Sequence, residues 1–380
     1  TLHLGHASML AIQDILIRYN RLQGKKTLWV PGTDHASIAT QNRVEKLIAE
    51  DGKTRHDLGR TQFLQEVEDF VEDSRDTIRN QIRKMGSSCD WTREAYTLSP
   101  TLTKVVQETF ITMHNDGIIY RGDRIVNWCP RCASTLANDE VKHKTTKGNY
   151  YYFKYGPITI GTARPETKFL DKTIIVHPED KRYKDLVGKT LTIPWMNGDI
   201  EAHVIADTAA DMEEGTGAMT ITPAHSFIDF ELAQKHNLPI VQIINEKGEL
   251  TGHAGEFAGQ NANQAREKIV KKMKREGLVE KIDTEYEHNL SVCYLCDTPV
   301  EPLISKQWFI SVDTKAVEWK GKKQSLKEIA LDVVKSNDIS IVPNRFNKTY
   351  FHWIENLHDW CISRQIWFGH RIPVWYNEKE

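Results

Sequence analysis

The chain has 380 residues, more than the ~250–300 at which a single hydrophobic core stops growing, so two or more domains are expected. Hydrophobic residues at 39% and charged residues at 27% exclude a collagen and a disordered tail, and no apolar run approaches the ~20 residues that span a bilayer. Fifty Lys and Arg against 52 Asp and Glu leave a net charge of −2, so a nucleic-acid partner would have to meet a local basic patch. The first residues, Thr1 to His6, hold no Met and no basic leader, and the chain is read as one cut at its front.

Residues 1–130 alternate helix and strand signals. From Ala7 to Gln23 the apolar residues Met9, Ile12, Leu16 and Tyr19 keep a helical spacing, and Gly24 ends the run. Thr27 to Val30 is a short strand candidate closed by Pro31-Gly32. A helical stripe (Phe63, Val67, Phe70, Val71, Ile78, Ile82) runs from Leu58 to Met85, and Ser99-Pro100 opens a further helix that stops before Gly117. The alternation predicts an α/β fold with a parallel sheet. Near Lys147 the texture changes to short β-rich runs: 150–155, 158–163, 173–177, 191–195 and 202–206. A helix is expected at 229–237, a strand at 240–245 and a second helix at 261–277. Past Ser291 the mixed pattern returns.

Four of the six cysteines form two Cys-x-x-Cys pairs, Cys129/Cys132 and Cys293/Cys296. Such a turn sets both thiolates on one side of a knuckle, and two knuckles complete a closed tetrahedral site of the kind Zn²⁺ prefers in structural roles. Redox motifs or unrelated buried cysteines are the other readings. With one shared metal, the 160 residues between the pairs leave one point and return to it, as a domain inserted into another does. The expected division is 1–147 and 291–380 for the two halves of an outer domain, with 148–290 inserted.

The chain opens on His3-Leu4-Gly5-His6 at a helix start. Free N–H groups and the helix dipole favour phosphate there, Gly5 lets a ligand approach, and two imidazoles add donors. The same residues would also serve as a plain cap. Pro31-Gly32-Thr33-Asp34-His35-Ala36 follows the first strand candidate, and Asp359-Trp360-Cys361-Ile362-Ser363-Arg364-Gln365 lies near the end. Together these strings resemble the class I aminoacyl-tRNA synthetases, and 31–41 and 352–376 resemble the valine branch. Gly161 to Thr167 (GTARPET) and Gly215 to His225 (GTGAMTITPAH) extend the likeness through the middle of the chain.

The resemblance implies a Rossmann-like catalytic domain interrupted by a β-rich editing domain. It implies activation of valine by magnesium-bound ATP, transfer to tRNA, and hydrolysis of mischarged threonyl-tRNA. His3, Gly5 and His6 then serve ATP and catalysis. Asp34, read as a buried carboxylate, holds the substrate ammonium, although a turn or cap role suits it equally. Trp367 and Phe368 line the amino-acid pocket, with Phe368 where the branch usually has Trp, and Trp367 is equally readable as core. Thr162, Arg164, Thr167 and Asp229 form the editing site.

The inserted part departs from the branch pattern at Ala163, at Lys168 (usually Met), at Thr220 (usually Lys) and at Ser226 (usually Asp). The basic helix carrying Lys268, Lys271, Lys272, Lys274 and Arg275 reads first as a solvated face and second as an RNA contact. No Lys-Met-Ser-Lys-Ser string occurs in the 380 residues, nor an anticodon-binding domain, so this polypeptide alone is expected to activate valine poorly. A cytoplasmic monomer without membrane association is expected. An isoleucine-type ligase and a non-catalytic, zinc-stapled RNA-binding relative are the alternatives.

Overall fold

The computed structural model describes residues 2–377. Two compact units make it up. The first takes the chain up to Tyr120, Ser311–His358 and the residues from Gln365 onward; the second takes Arg121–Ile310 and Asp359–Arg364. The second unit is therefore one long excursion, joined by a short late segment.

Along the chain, the first unit begins with helix α1 (Leu4–Leu22), strand β1 (Gly32–Thr33) and helices α2 (Ser37–Glu50) and α3 (Arg55–Lys84). Strand β2 (Ala95–Tyr96) and helix α4 (Pro100–Asn115) follow. The helix signals are local. Thr54 and Asp57 close a capping box at the start of α3, and Ser99 caps α4 with Pro100 at its first position. α3 breaks its helical path at Gly59, whose φ is 73°. β1 and β2 pair in parallel, Gly32 with Ala95 and Thr33 with Tyr96.

The strand expected at Thr27–Val30 is not a ladder strand. Trp29 O accepts from Asp90 N (2.8 Å) and Pro31 O from Ala95 N (2.9 Å), but Pro31 has no N–H to return, which confines the regular pairing to two residues. Val44 from α2 and Phe63, Val67 and Val71 from α3 pack with Phe368 in one core. Each such burial is worth roughly 1.5–3 kcal/mol.

The second unit holds β3 (Ile119–Cys129), β4 (Ser134–Leu136), β5 (Val141–Tyr155), β6 (Ile158–Thr162), β7 (Thr173–Val176), β8 (Thr190–Trp195), β9 (Gly198–Ala206) and β10 (Ala218–Thr220). Helices α5 (Phe227–Lys235) and α6 (Ala262–Arg275) and strands β11 (Val279–Cys293) and β12 (Glu301–Ile310) complete its main run. A 3-10 turn at Pro165–Leu170 follows β6. One sheet has the order β10-β7-β9-β8, in which only β7 and β9 are parallel. A second, β11-β5-β6, is antiparallel throughout. Their shared core centres on Phe153, Tyr155, Ile160, Phe169, Ile174 and Ile193. α6 buries Ala265, Ile269 and Met273 there and leaves Lys268, Lys271, Lys274 and Arg275 exposed.

β5 and β11 pair from Val141–Cys293 to Phe153–Val279. Positions 147/148 and 290/291 therefore lie inside paired strands, while the compact units part at 120/121 and 310/311. The strand expected at 240–245 reduces to an isolated bridge of Ile244 with Leu250. The reason is that Ile243 N and Ile244 N donate to the His225 side chain (2.9 and 3.1 Å) rather than to a neighbouring strand.

The chain then returns to the first unit with β13 (Val317–Trp319), β14 (Lys322–Gln324), α7 (Leu326–Lys335) and α8 (Asn347–Glu355). Strand β15 (Trp360–Cys361) pairs with β12 in the second unit, in a sheet ordered β15-β12-β3-β4. Among the described residues no helix is long and apolar enough to cross a membrane.

Candidate functional site

His3 is the N-cap of α1. Gly5 N donates to His3 Nδ1 (3.0 Å), and His3 N donates to His6 Nδ1 (3.3 Å), with the rings 4.0 Å apart. A backbone N–H can only donate, so each Nδ1 acts as acceptor and the neutral ring carries its hydrogen on Nε2. Both Nε2–H groups are thereby left for an incoming acceptor, beside the positive end of a 19-residue helix. His3 and Gly5 are exposed and His6 half-buried. Gly5 has a reason beyond ligand access: a Cβ there would lie 2.9 Å from His3 Cε1 and displace the ring.

Asp34 sits between β1 and α2. Its side chain is 77% exposed, which corrects the expectation of a buried carboxylate. The segment alternates, with Gly32, Asp34 and Ala36 facing out and Thr33 and His35 turned inward, and Asp34 Oδ1 accepts from Ala36 N (2.9 Å) in the turn that leads into α2. Around it stand residues not singled out from the sequence. His35 N donates to Thr97 Oγ1 (2.9 Å), and the His35 ring meets Phe368 (6.0 Å), His370 (5.1 Å) and Tyr96 (6.4 Å) edge-on. Burial, then the neighbouring His370, hold His35 below the usual histidine range, with Asp34 pulling the other way. Thr33 Oγ1 and His370 Nδ1 are buried atoms with no hydrogen-bond partner in the protein. Polar atoms left this way are what a ligand's own polar groups satisfy.

Phe368 is buried and Trp367 half-buried; both backbone N–H groups donate to Oε1 of the buried Gln41 (3.2 and 2.8 Å). Trp367 packs edge-on against Phe63 (5.6 Å) and under Arg55 (5.3 Å). Trp367 thus belongs to the core edge, whereas Phe368 also reaches the Asp34–His35 group. Gly369 has a φ of 146°, and a Cβ on it would stand 2.6 Å from Ser37 Oγ. Among the hydrogen bonds and ring contacts of the described residues, none joins His3 or His6 to Asp34 or Phe368.

In the second unit Thr162 ends β6, and its Oγ1 accepts from Arg164 N (2.9 Å). Thr167 Oγ1 donates to Arg164 O (3.0 Å). The Arg164 guanidinium is engaged by protein: it reaches both Glu301 oxygens (2.8 and 2.6 Å) and Glu166 (3.3 Å). Arg266 forks onto Glu166 (2.8 and 2.7 Å). His225 Nε2 accepts two backbone N–H groups, so Nδ1 carries the hydrogen and donates toward Glu301 Oε1 (3.1 Å) and Pro302 O (3.0 Å). Burial pushes Glu301 up, but Arg164 and His225 outweigh it and hold its carboxyl below the usual range.

Asp229 is buried on the first turn of α5, with Ser226 as N-cap; Ser226 Oγ accepts Asp229 N (3.3 Å). Asp229 Oδ2 accepts Thr222 N (2.7 Å), and the Ser226 hydroxyl also acts on the carboxylate. Burial raises Asp229 above the usual carboxylate range, Lys168 and the Thr222 N–H opposing it. Lys168 Nζ meets Asp171 (2.8 Å), Thr222 Oγ1 (2.9 Å) and Thr220 O (3.1 Å). Two positions that depart from the valine pattern, Lys168 and Thr220, are therefore in contact. The structure links Asp229 to Lys168 through Thr222, and Thr162 and Thr167 to Arg164. His225 had a signal, the end of its motif; Glu301, Asp171 and Arg266 had none.

Cys129, Cys132, Cys293 and Cys296 converge, with their sulfurs all within 4.8 Å of one another. Sulfurs about 2.3 Å from a tetrahedral centre stand about 3.8 Å apart. The Cys129–Cys296 and Cys132–Cys296 separations are 3.5 and 3.7 Å. All four cysteines are free of disulfides. The residue after each knuckle, Ala133 or Asp297, has a positive φ (48° and 57°), which turns the chain around the sulfurs. Hydrogen bonds with Cys129 and Cys132 pull the Cys293 thiol down, while hydrogen bonds with Cys129 and Cys293, followed by burial, push the Cys132 thiol up. A divalent cation would stabilise all four as thiolates.

A split unit with His-x-Gly-His at a helix start defines a class, and comparison with known proteins agrees. Residues 1–380 match the family of tRNA synthetases class I (I, L, M and V), and the chain belongs to that family. Among curated relatives it is 45% identical over 381 residues to the valine–tRNA ligase of Dehalococcoides mccartyi, covering 99% of this chain and 42% of that protein. It is 46% identical to that of Fusobacterium nucleatum and 44% to that of Thermotoga maritima, again over 99% of this chain and 42% of each relative. The chain thus spans less than half the length of the relatives it matches.

Proposed function

We propose that the chain carries the amino-acid activation and editing parts of a valine–tRNA ligase. The similarity to valine–tRNA ligases along 99% of the chain supports this most directly. In activation, the valine carboxylate attacks the α-phosphorus of ATP and expels pyrophosphate; the valyl group then passes to the 2′-hydroxyl of the terminal adenosine of tRNA. Charge builds on phosphate oxygens, so positioned donors matter more than covalent catalysis. The Nε2–H groups of His3 and His6 supply such donors, with Gly5 keeping the His3 ring in place. Magnesium accompanies the ATP. Asp34 offers its exposed carboxylate to the valine ammonium, and Phe368 forms an apolar wall, with Trp367 supporting it.

Threonine is nearly isosteric with valine. Valine enzymes are themselves the known example of the limit this sets, about 10²-fold, and of a second, hydrolytic site as the remedy. The second unit suits that role: the Asp229 carboxylate receives the threonyl ammonium, while Thr162 and Thr167 hold the Arg164 turn that lies between them in sequence. Water attacks the ester carbonyl and the bond to the ribose oxygen breaks, releasing threonine and tRNA.

The four cysteines hold one Zn²⁺ that ties the knuckle between β3 and β4 to the end of β11; with four sulfurs it has no open position and is structural. The partners are tRNA, ATP and valine, in a cytoplasmic monomer whose catalytic domain is divided as 1–147 and 291–380 around an editing domain at 148–290, the second compact unit comprising the editing domain and the adjoining residues 121–147 and 291–310 of the catalytic domain, with Asp359–Arg364.

The test is hydrolysis of threonyl-tRNA by the purified protein. The reading expects threonyl-tRNA to be cleaved in preference to valyl-tRNA, and Asp229→Ala to abolish cleavage. Unchanged cleavage by Asp229→Ala contradicts it.

A further inference from the structure

A buried lysine needs a reason. Lys168 lies in the 3-10 turn after β6 with its side chain 10% exposed, beside Asp171 at 2%. All three ammonium hydrogens have acceptors, on Asp171, Thr222 and Thr220. A buried ion pair of this kind gains little over apolar side chains of similar volume, so stability does not account for it. Its connections do. Thr222 Oγ1 accepts from Lys168 and donates to Asp171 (3.0 Å), which fixes the Thr222 side chain. The Thr222 backbone N–H in turn holds Asp229 Oδ2.

We propose that Lys168 is a positioning residue of the hydrolytic pocket, holding Thr222 and through it the Asp229 carboxylate in the orientation that receives the substrate ammonium. The inference rests on the editing reading of the second unit. It adds a residue outside the set that reading named, and it gives the ion pair a function. The charged groups that act on Asp229 are Lys168 and Asp171, the first favouring the carboxylate and the second opposing it more weakly. Removing the ammonium therefore loosens Asp229 and makes its ionisation harder.

The experiment is the pH profile and KM of threonyl-tRNA deacylation for the unsubstituted protein, Lys168→Met, Lys168→Arg, the double variant Lys168→Met/Asp171→Asn, and Asp229→Asn. The double variant removes both buried charges, so a lone buried carboxylate does not unfold it. The backbone anchors remain, since Trp195 Nε1 binds Lys168 O and Tyr155 Oη binds Asp171 O. For both variants that lack the ammonium, we expect KM to rise about tenfold or more and the acid limb to move up by about one pH unit. Lys168→Arg keeps the acid limb in place and recovers most of the rate. If the double variant keeps the KM and acid limb of the unsubstituted protein while Asp229→Asn is inactive, Lys168 is structural only and the inference falls, with the editing reading intact. If Asp229→Asn hydrolyses at the full rate, the editing reading itself fails and the inference with it.

Discussion

The two candidate pockets are built in opposite ways. In the first unit, the groups offered to ligand are exposed or half-exposed and held by backbone: His3 and His6 by N–H groups at the start of α1, Asp34 by the turn before α2. In the second unit the groups are held by one another: half-buried Arg164 by Glu301 and Glu166, and, in the interior, Asp229 by Thr222 and Thr222 by Lys168 and Asp171. A site for a large, charged, mobile ligand such as ATP gains from donors that are accessible and cheap to orient. A site that must grip one small ammonium gains from a carboxylate fixed within a low-dielectric network, where each partner counts for more. Substitutions should therefore act differently in the two units: mostly on ligand binding in the first, mostly on stability together with function in the second.

The contrast is sharpest in metal binding and ion-pair removal. Zinc bound by Cys129, Cys132, Cys293 and Cys296, as proposed, would put on the order of 10 kcal/mol of binding free energy into the second unit. Elemental analysis should find one zinc per chain, and Cys293→Ser should lose it and lower the unfolding midpoint by many degrees; a metal-free wild-type protein of unchanged midpoint would remove the zinc assignment. Glu301→Ala leaves Arg164 and His225 without their shared carboxylate and should cost about 3–5 kcal/mol in denaturant unfolding. Asp34→Ala, at an exposed position, should cost no more than about 1 kcal/mol yet abolish amino-acid binding. Equal destabilisation by the two would erase the distinction between the units.

Smaller effects follow. Gly5→Ala should push the His3 ring away and weaken ATP binding about tenfold, measured by calorimetry, with stability changed by less than about 1 kcal/mol. Asp14 is held down to about 2, first by the Ser88 hydroxyl, against burial, and with help from Arg18. Its folded value lies below the unfolded value of about 3.9, so its stabilisation is complete above about pH 4 and is lost as pH falls toward 2. Asp14→Asn should flatten the stability curve of the first unit in that window, and an unaltered curve would show that the Ser88 contact carries no linkage.

What the sequence disclosed depended on how local the cause was. The helices α1, α3, α4 and α6 could be read because caps and apolar spacing lie within them, as with Ser99-Pro100 before α4. The convergence of the cysteine pairs could be read because knuckle spacing is local and the metal geometry is stringent. The strand at 240–245 misled because its N–H groups are taken by His225, 18 and 19 residues away in sequence. Asp34 misled because a motif announces a residue type and not its exposure. Glu301 was silent: it stands 137 residues from Arg164, in no motif, and only the fold shows that a buried carboxylate joins Arg164 to His225. The function of the Lys168 position was hidden for the same reason, since its meaning lies in Thr220 and Thr222 on another segment.

The central claim is that hydrolysis belongs to the second unit and nucleotide chemistry to the first. Threonyl-tRNA deacylation measured without ATP, side by side for His3→Ala/His6→Ala and for Asp229→Ala, tests it most directly. The account predicts that the double histidine variant cleaves threonyl-tRNA at the rate of the unsubstituted protein and that Asp229→Ala does not cleave it. Loss of cleavage in the histidine variant with retention in Asp229→Ala would contradict it.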